Sequence, residues 1–326
     1  MDRLFEIGER VLKGELSLEE LKAFSVELKE RLPFTETFRR SALIVSGDKL
    51  KHLRKSFTRD ADVLIFNLED GVAEKNKDFA RTFLKKFLTG ISFDGSKEVV
   101  VRINGMDTPY FWEDIFEILP VVPHAVRLSK VTSFREVVAL DKILEAFERS
   151  FSLTVGTIGI HLSIETGSAI ENLEEILGAS SRIKVAYLGM LDLFSDINLS
   201  QEKLPTSPLS SYIKSKFVLT CKSLRVVPIG PAYQDFENLE GFEKEALEER
   251  EIGFEGKMCI SVRQVEVANR VFSPSEEEIK KAEEIVKLYE KALEEGKGGV
   301  VYKGKFIDQP IYKDALNKLK LMKKSP

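Results

Sequence analysis

Gly159-Ile160-His161-Leu162-Ser163-Ile164-Glu165-Thr166-Gly167 is an apolar run that stops at a carboxylate, and Val185-Ala186-Tyr187-Leu188-Gly189-Met190-Leu191-Asp192-Leu193 is a second run of the same kind. Between them, residues 168–180 carry Ala169, Leu173, Ile176 and Leu177 at helical spacing. The pattern reads as strand, helix, strand. Parallel strands joined in this way end side by side on one edge of a sheet. Glu165 and Asp192 then meet on that edge, with Gly167 and Gly189 leaving room beside them. Paired carboxylates of this kind suit a hard divalent cation such as Mg2+. The residues alone leave a second reading open, in which each carboxylate caps the following helix or pairs with a surface lysine.

Outward from this pair the alternation continues. Apolar runs at 42–45, 63–66, 99–104 and 125–128 precede it, and runs at 224–229 and 257–260 follow it. Helical patterns such as 75–87 and 134–147 fill the gaps. Strands that are apolar along their length are buried on both faces, as in a parallel sheet covered by helices. About eight βα units favour an α/β fold closed as a (β/α)8 TIM barrel over an open sheet. No G-x-G-x-x-G follows the first run, so a dinucleotide-binding sheet has no support.

The barrel is expected over 39–271, between an N-terminal helical extension (1–38) and a C-terminal lid-like extension (272–326). In the first, Gly14 separates two amphipathic helices, and Ser17-Leu18-Glu19-Glu20 fits a capping box opening the second. Its apolar stripe of Leu18, Leu21, Phe24 and Leu28 needs a partner surface, on the barrel or on another subunit. In the last, Ser273-Pro274-Ser275-Glu276 predicts a helix with Ser273 as N-cap, running to about Glu295 and stopping at Gly296. A hairpin over 298–307 should turn at Lys303-Gly304, and a final helix should place Ala315, Leu319 and Met322 on one face. This tail reads as a lid or a subunit contact.

The chain has 326 residues, 43% of them hydrophobic, enough for one large α/β barrel or two ordinary domains with a real core. No apolar run reaches the ~20 residues of a membrane span, and the charged N-terminus does not resemble a secretory signal. Net charge is −4 without a basic stripe, which gives nucleic acid no footprint. Cys221 and Cys259 lack metal-ligand spacing and fit a reducing cytoplasm.

In a parallel barrel the strand C-terminal ends form the active face. The runs place Glu69, Asp70, Arg102, Asn104, Lys130, Glu165, Asp192 and Asp235 there. Acids around a cation suggest an anionic substrate, with Arg102, Lys130 and Asn104 as candidate binding groups. Arg102 follows Val99-Val100-Val101, and a guanidinium at such a buried position needs a carboxylate partner or a ligand. Glu69 or Asp70 would serve, and could at the same time orient Arg102 toward substrate. Lys130 could form a Schiff base or stand as a paired ammonium. His161 begins its strand away from the active edge and reads as a packing or surface residue; His52 and His124 have no nucleophile beside them.

Taken together, these segments resemble a known family. Arg40-Ser41-Ala42-Leu43-Ile44-Val45-Ser46-Gly47-Asp48 is similar to its opening strand and turn, Leu68-Glu69-Asp70-Gly71-Val72 to its L-E-D-x-V motif, and Val101-Arg102-Ile103-Asn104 to V-R-x-N. Ile164-Glu165-Thr166 and Gly189-Met190-Leu191-Asp192-Leu193 resemble its metal-binding segments; Phe306-Ile307-Asp308-Gln309-Pro310 resembles a late motif. The family is the HpcH/HpaI aldolase and citrate lyase family, in its citrate lyase beta-subunit-like branch with malyl-CoA and citramalyl-CoA lyases. The chain departs from the usual motifs at Ser46, Ser129, Leu191 and Ser261.

The resemblance implies a TIM barrel, commonly trimeric, in which Glu165 and Asp192 hold Mg2+ and Arg102 binds substrate oxygens. It implies that Glu69 and Asp70 support the site and that Asp308 completes a neighbouring subunit's site as acid or base. The expected activity is Mg2+-dependent carbon–carbon cleavage of a 3-hydroxy-acid acyl thioester of the malyl, citramalyl or citryl type, on CoA or an acyl carrier. The alternatives are an aldolase for a free 2-oxo acid, by metal or by a Lys130 imine, and a non-catalytic thioester- or anion-binding protein.

Overall fold

The computed structural model describes residues 1–35, 38–204 and 207–323. Eight parallel strands close into a barrel: β1 (Ser41–Ser46), β2 (Val63–Asn67), β3 (Glu98–Ile103), β4 (Ala125–Leu128), β5 (Gly159–Ile164), β6 (Ile183–Leu188), β7 (Val227–Gly230) and β8 (Gly256–Cys259). Closure runs through Ser41 opposite Lys257, Ala42 opposite Met258 and Leu43 opposite Cys259. The expected (β/α)8 topology is therefore present.

Why these runs are continuous in apolar character is visible in the packing. Residues of one parity, including Val63, Ile65, Val100, Val185, Tyr187, Ile229 and Met258, fill the barrel interior. Those of the other parity, including Leu64, Phe66, Val101, Val126, Leu162 and Leu188, meet the surrounding helices. Each strand is thus apolar on both faces.

The helices are α1 (Asp2–Leu12), α2 (Leu18–Ala23), α3 (Leu50–Ser56), α4 (Lys77–Thr89), α5 (Phe111–Ile118), α6 (Phe134–Ser150), α7 (Gly167–Glu171), α8 (Leu173–Gly178), α9 (Met190–Asp196), α10 (Pro208–Ser223), α11 (Leu239–Ile252), α12 (Val262–Val271), α13 (Glu276–Glu294) and α14 (Gln309–Lys323). None of them is long and apolar enough to cross a membrane. Four expectations need correction. The helix over 168–180 is broken at Asn172, whose side chain donates back to Ser168 O at 2.9 Å, a local bond that competes with the helix. The seventh strand starts at Val227, because Leu224 caps α10 and Arg225 then takes a left-handed conformation (φ 60).

The second helix stops at Ala23, so Leu28 is off its stripe, 51% exposed in an extended segment. That segment bonds along the barrel, with Lys29 N–H to Thr89 O and Leu32 N–H to Phe93 O. The cap of α13 is Ser275, with a reciprocal bond pair to Glu278, rather than Ser273. The Ser273 hydroxyl instead donates to Asn269 O in α12 and accepts from Arg40.

The N-terminal extension packs on its own barrel. Phe5 of α1 meets Phe83 and Phe87 of α4 edge-on at 5.3 and 5.6 Å. Burying one such ring contributes about 2–3 kcal/mol. Arg31 then straps the arm down, donating to Leu88 O, Ile91 O and Val121 O at 2.6–2.8 Å with its guanidinium 4.0 Å over Phe93.

The tail has a core of its own. Ala282, Ile285 and Tyr289 of α13 enclose Ile307 and Ala315, and Tyr289 stacks on Tyr312 at 4.6 Å. Its hairpin, β9 (Val300–Tyr302) with β10 (Lys305–Ile307), turns at Lys303-Gly304 as expected. Leu319 packs against this core with Ala315; the side chain of Met322 lies outside the described ones. The ion pair between Arg250 and Glu278, at 2.9 Å, ties the tail to α11.

Candidate active site

The C-terminal ends of β2 to β6 bring most of the expected residues together. Glu69, just past β2, is buried, and its backbone N–H donates to Asn67 Oδ1 at 3.1 Å. Arg102, the fifth residue of β3, points into the barrel mouth between two acids. Its Nη1 lies 2.9 Å from Glu69 Oε2 and its Nη2 3.2 Å from Glu165 Oε1. Both sequence expectations for Arg102 are thus compatible: it is ion-paired, and its buried Nε has no partner among the described residues.

Lys130 follows β4 in a left-handed conformation (φ 51). Such a residue costs roughly 1–2 kcal/mol. The turn aims its backbone N–H at Glu165 Oε1, 2.9 Å away, while its Nζ reaches Asp70 Oδ2 at 2.7 Å and Glu69 Oε1 at 3.2 Å. Partial burial opposes its charge, but Asp70 and Glu69 outweigh that and hold the ammonium well above the usual lysine range. A Schiff-base lysine needs the opposite shift. Burial raises the Glu69 carboxyl, and Arg102 offsets only part of that.

Glu165 and Asp192 form the proposed cation pair. Glu165 Oε1 is engaged by Arg102 and Lys130, and Oε2 has only a 3.5 Å approach from Arg102 Nη2. Gly189 leaves the space: a Cβ there would sit 2.6 Å from Glu165 Cβ and 2.7 Å from its Oε2. Asp192, in the first turn of α9, has no hydrogen bond or ion pair among the described residues. Crowding at the mouth and then the Glu165 carboxylate raise its carboxyl. Since Asp192 is exposed, the like charge of Glu165 is the firmer cause. No set of three or more His, Cys, Asp or Glu side chains is gathered as ligands among the described residues. Two carboxylates with open space suit Mg2+, which keeps several waters and takes one or two carboxylates.

Asn104 is present but committed inward. Its Nδ2 donates to Leu68 O at 3.0 Å and Asp114 Oδ2 at 2.6 Å, and its Oδ1 accepts from Lys77 at 2.8 Å. It ties the β2 and β3 ends together. Asp235 stays apart, exposed and bonded to Asn238 N–H. Asp308 also lies outside the cluster within one chain: it is half-exposed at the start of α14, with Oδ1 3.5 Å from Ile311 N.

Beneath the mouth the barrel interior carries several polar and charged groups. Arg39 grips Glu98 through two bonds of 2.6 and 2.8 Å; His161 Nε2 lies 3.3 Å from Glu98 and its Nδ1 3.2 Å from the Tyr187 hydroxyl. His161 is a buried packing residue, facing the interior. Arg127 was missed by sequence reasoning. It is buried, in register with Arg102, 3.9 Å over the Tyr187 ring, and donates to Ser163 Oγ at 2.8 Å. Burial and then Arg102 lower it to about 10. The available signal was a charge inside the short apolar run Ala125-Val126-Arg127-Leu128.

The profile of the HpcH/HpaI aldolase/citrate lyase family matches residues 40–262. The chain belongs to that family. It is 29% identical to the citrate lyase subunit beta of Leuconostoc mesenteroides subsp. cremoris over 88% of this chain and 94% of that one. It is 30% identical to the L-malyl-CoA/beta-methylmalyl-CoA lyase of Rhodobacter capsulatus over 85% of this chain and 92% of that one. The CitE protein of Mycobacterium tuberculosis, solved with magnesium, acetoacetate and coenzyme A, shares the fold with a TM-score of 0.70 at 22% identity, covering 86% of this chain and 97% of that one.

Within the family fold, three serines that depart from the usual motifs have local work. Ser46 Oγ donates to Asp48 Oδ1 at 2.9 Å, Ser129 Oγ to Ile103 O at 2.7 Å, and Ser261 caps α12 with Gln264. Each holds a loop at the barrel mouth without a bulky side chain.

Proposed function

We propose that this family member is a Mg2+-dependent carbon–carbon lyase that cleaves a 3-hydroxy-acid acyl thioester of the malyl, citramalyl or citryl type. The products are a shorter acyl thioester and a 2-oxo acid. The observation that carries this reading is Glu165 and Asp192 facing open space beside Arg102. Mg2+ held by those two carboxylates would supply Lewis-acid polarisation of the forming 2-oxo carbonyl.

The chain's own groups supply the rest. Arg102, fixed between Glu69 and Glu165, would bind the substrate carboxylate and offset negative charge as the bond breaks. Glu69 and Asp70 hold Lys130 charged at the rim, where it favours anionic substrate. As the carbon–carbon bond breaks, the 3-hydroxyl would pass its proton to a carboxylate at the mouth and become the 2-oxo carbonyl, and the acyl fragment leaves as an enolate whose carbon needs one proton. Asp308 of a neighbouring copy would donate it, giving a shared site in a homotrimer. CoA or an acyl carrier would bear the thioester.

The test is turnover of malyl, citramalyl and citryl thioesters with and without a chelator. Cleavage that requires Mg2+ in the native protein and is lost in Asp192→Asn is expected. Absence of cleavage across the three thioesters, with Mg2+ present and the fold verified, would remove the reading.

A further inference from the structure

Four arginines are buried among the described residues. Arg81, Arg102 and Arg182 each face carboxylates: Asp114, Glu69 with Glu165, and Glu148. Arg127 faces none. Its Nε is used by the neutral Ser163 hydroxyl, its Nη1 meets Met258 Sδ at 3.4 Å, and its plane lies over the Tyr187 ring. A thioether and a ring face do not neutralise a guanidinium, and burying a charge without a counter-charge is costly. The missing partner is an anion.

Its place in the barrel says which one. Arg127 is the register neighbour of Arg102 on the adjacent strand. Ser163 precedes Glu165 by one inward-facing step on β5, so the Arg127–Ser163 pair forms the layer beneath the Arg102–Glu165 pair. On the register neighbour, the buried Nε of Arg102 also has no partner among the described residues. The mouth sets Glu69, Asp70, Glu165 and Asp192 against Arg102, Lys130 and Arg127. A divalent cation on the carboxylate pair turns that group from net negative to a single net positive charge, and Arg127 is the cation among them that holds no ion pair among the described residues.

We propose that Arg127, braced by Ser163, is a specificity-determining residue that takes the second carboxylate of a dicarboxylic 2-oxo acid. The site then favours an oxaloacetate-type product over a monocarboxylic one such as pyruvate. The first carboxylate belongs to Arg102 and the cation; the second reaches the layer below. This rests on the Mg2+-lyase reading above.

The experiment is calorimetric titration of the full chain with fresh, cold oxaloacetate and with pyruvate, each in excess Mg2+. Wild type is expected to bind oxaloacetate at least tenfold more tightly. Arg127→Met, which fills the space without charge, should reduce that ratio below twofold while leaving the pyruvate Kd within twofold. A wild-type ratio below twofold overturns the inference on the native protein, whatever the variant does. A preference that persists in folded Arg127→Met overturns it as well. Binding of neither acid to wild type overturns the lyase reading and the inference with it, whereas equal binding of both leaves the lyase reading standing.

Discussion

Gly189 shows how narrow the tolerance is at the level of single residues. Glu165 is held on one side by Arg102 and Lys130 and on the other by the absence of a side chain at Gly189. Asp192 then stands beside a fixed like charge, and its carboxyl is raised by crowding and by Glu165. The sign of the consequence is definite. A carboxyl raised in the folded protein keeps its proton to higher pH than in the unfolded chain, so this group's contribution to metal-free stability declines as pH rises through that interval. Mg2+ requires the ionised form and competes with the proton. The rise in melting temperature given by Mg2+ should therefore grow between pH 4 and pH 7.5, with a midpoint above the ordinary Asp value of about 3.9. Thermal melts with and without Mg2+ across that range check this; an equal Mg2+ effect at both ends would remove the role given to Asp192.

The strap that holds the N-terminal arm makes a separate stability claim at the level of elements. Arg31 satisfies carbonyls of Leu88 and Ile91 at the end of α4 as well as Val121 O. Arg31→Ala leaves those acceptors unpaired, and the loss should be about 2–3 kcal/mol, read as a lower urea midpoint. An unchanged midpoint would mean that water replaces the guanidinium without cost.

The barrel elements were legible because strands buried on both faces write continuous apolar runs, and their carboxylate ends mark the mouth. The bends were not. Asn172, Ser275 and Arg225 set boundaries through one local bond or one left-handed residue, below the resolution of periodicity. Glu69, Asp70, Arg102, Lys130, Glu165 and Asp192 could be placed at one mouth because each follows or ends an apolar run. Arg127 hid inside such a run, and nothing in the sequence pattern showed that Asn104 donates to Leu68 O and Asp114.

For the whole molecule the question is where the tail acts. Asp308 stands at the start of α14, outside the mouth cluster of its own chain among the described residues. If it serves a neighbouring copy, mixing inactive Asp308→Ala subunits with inactive Asp192→Asn subunits should restore some activity, because some sites then pair an intact barrel with an intact tail. No recovery, with subunit exchange verified by mass, would confine Asp308 to its own chain or remove it from the reaction. The tail closes its own core on Ile285, Tyr289 and Ile307 within one chain. Under the shared-site reading this has a consequence for dilution. A lone chain would hold that core and still be idle, and catalytic output would follow the square or a higher power of protein concentration near the point of dissociation. The amount of this protein in a compartment, and not only its substrate, would then set whether the reaction runs.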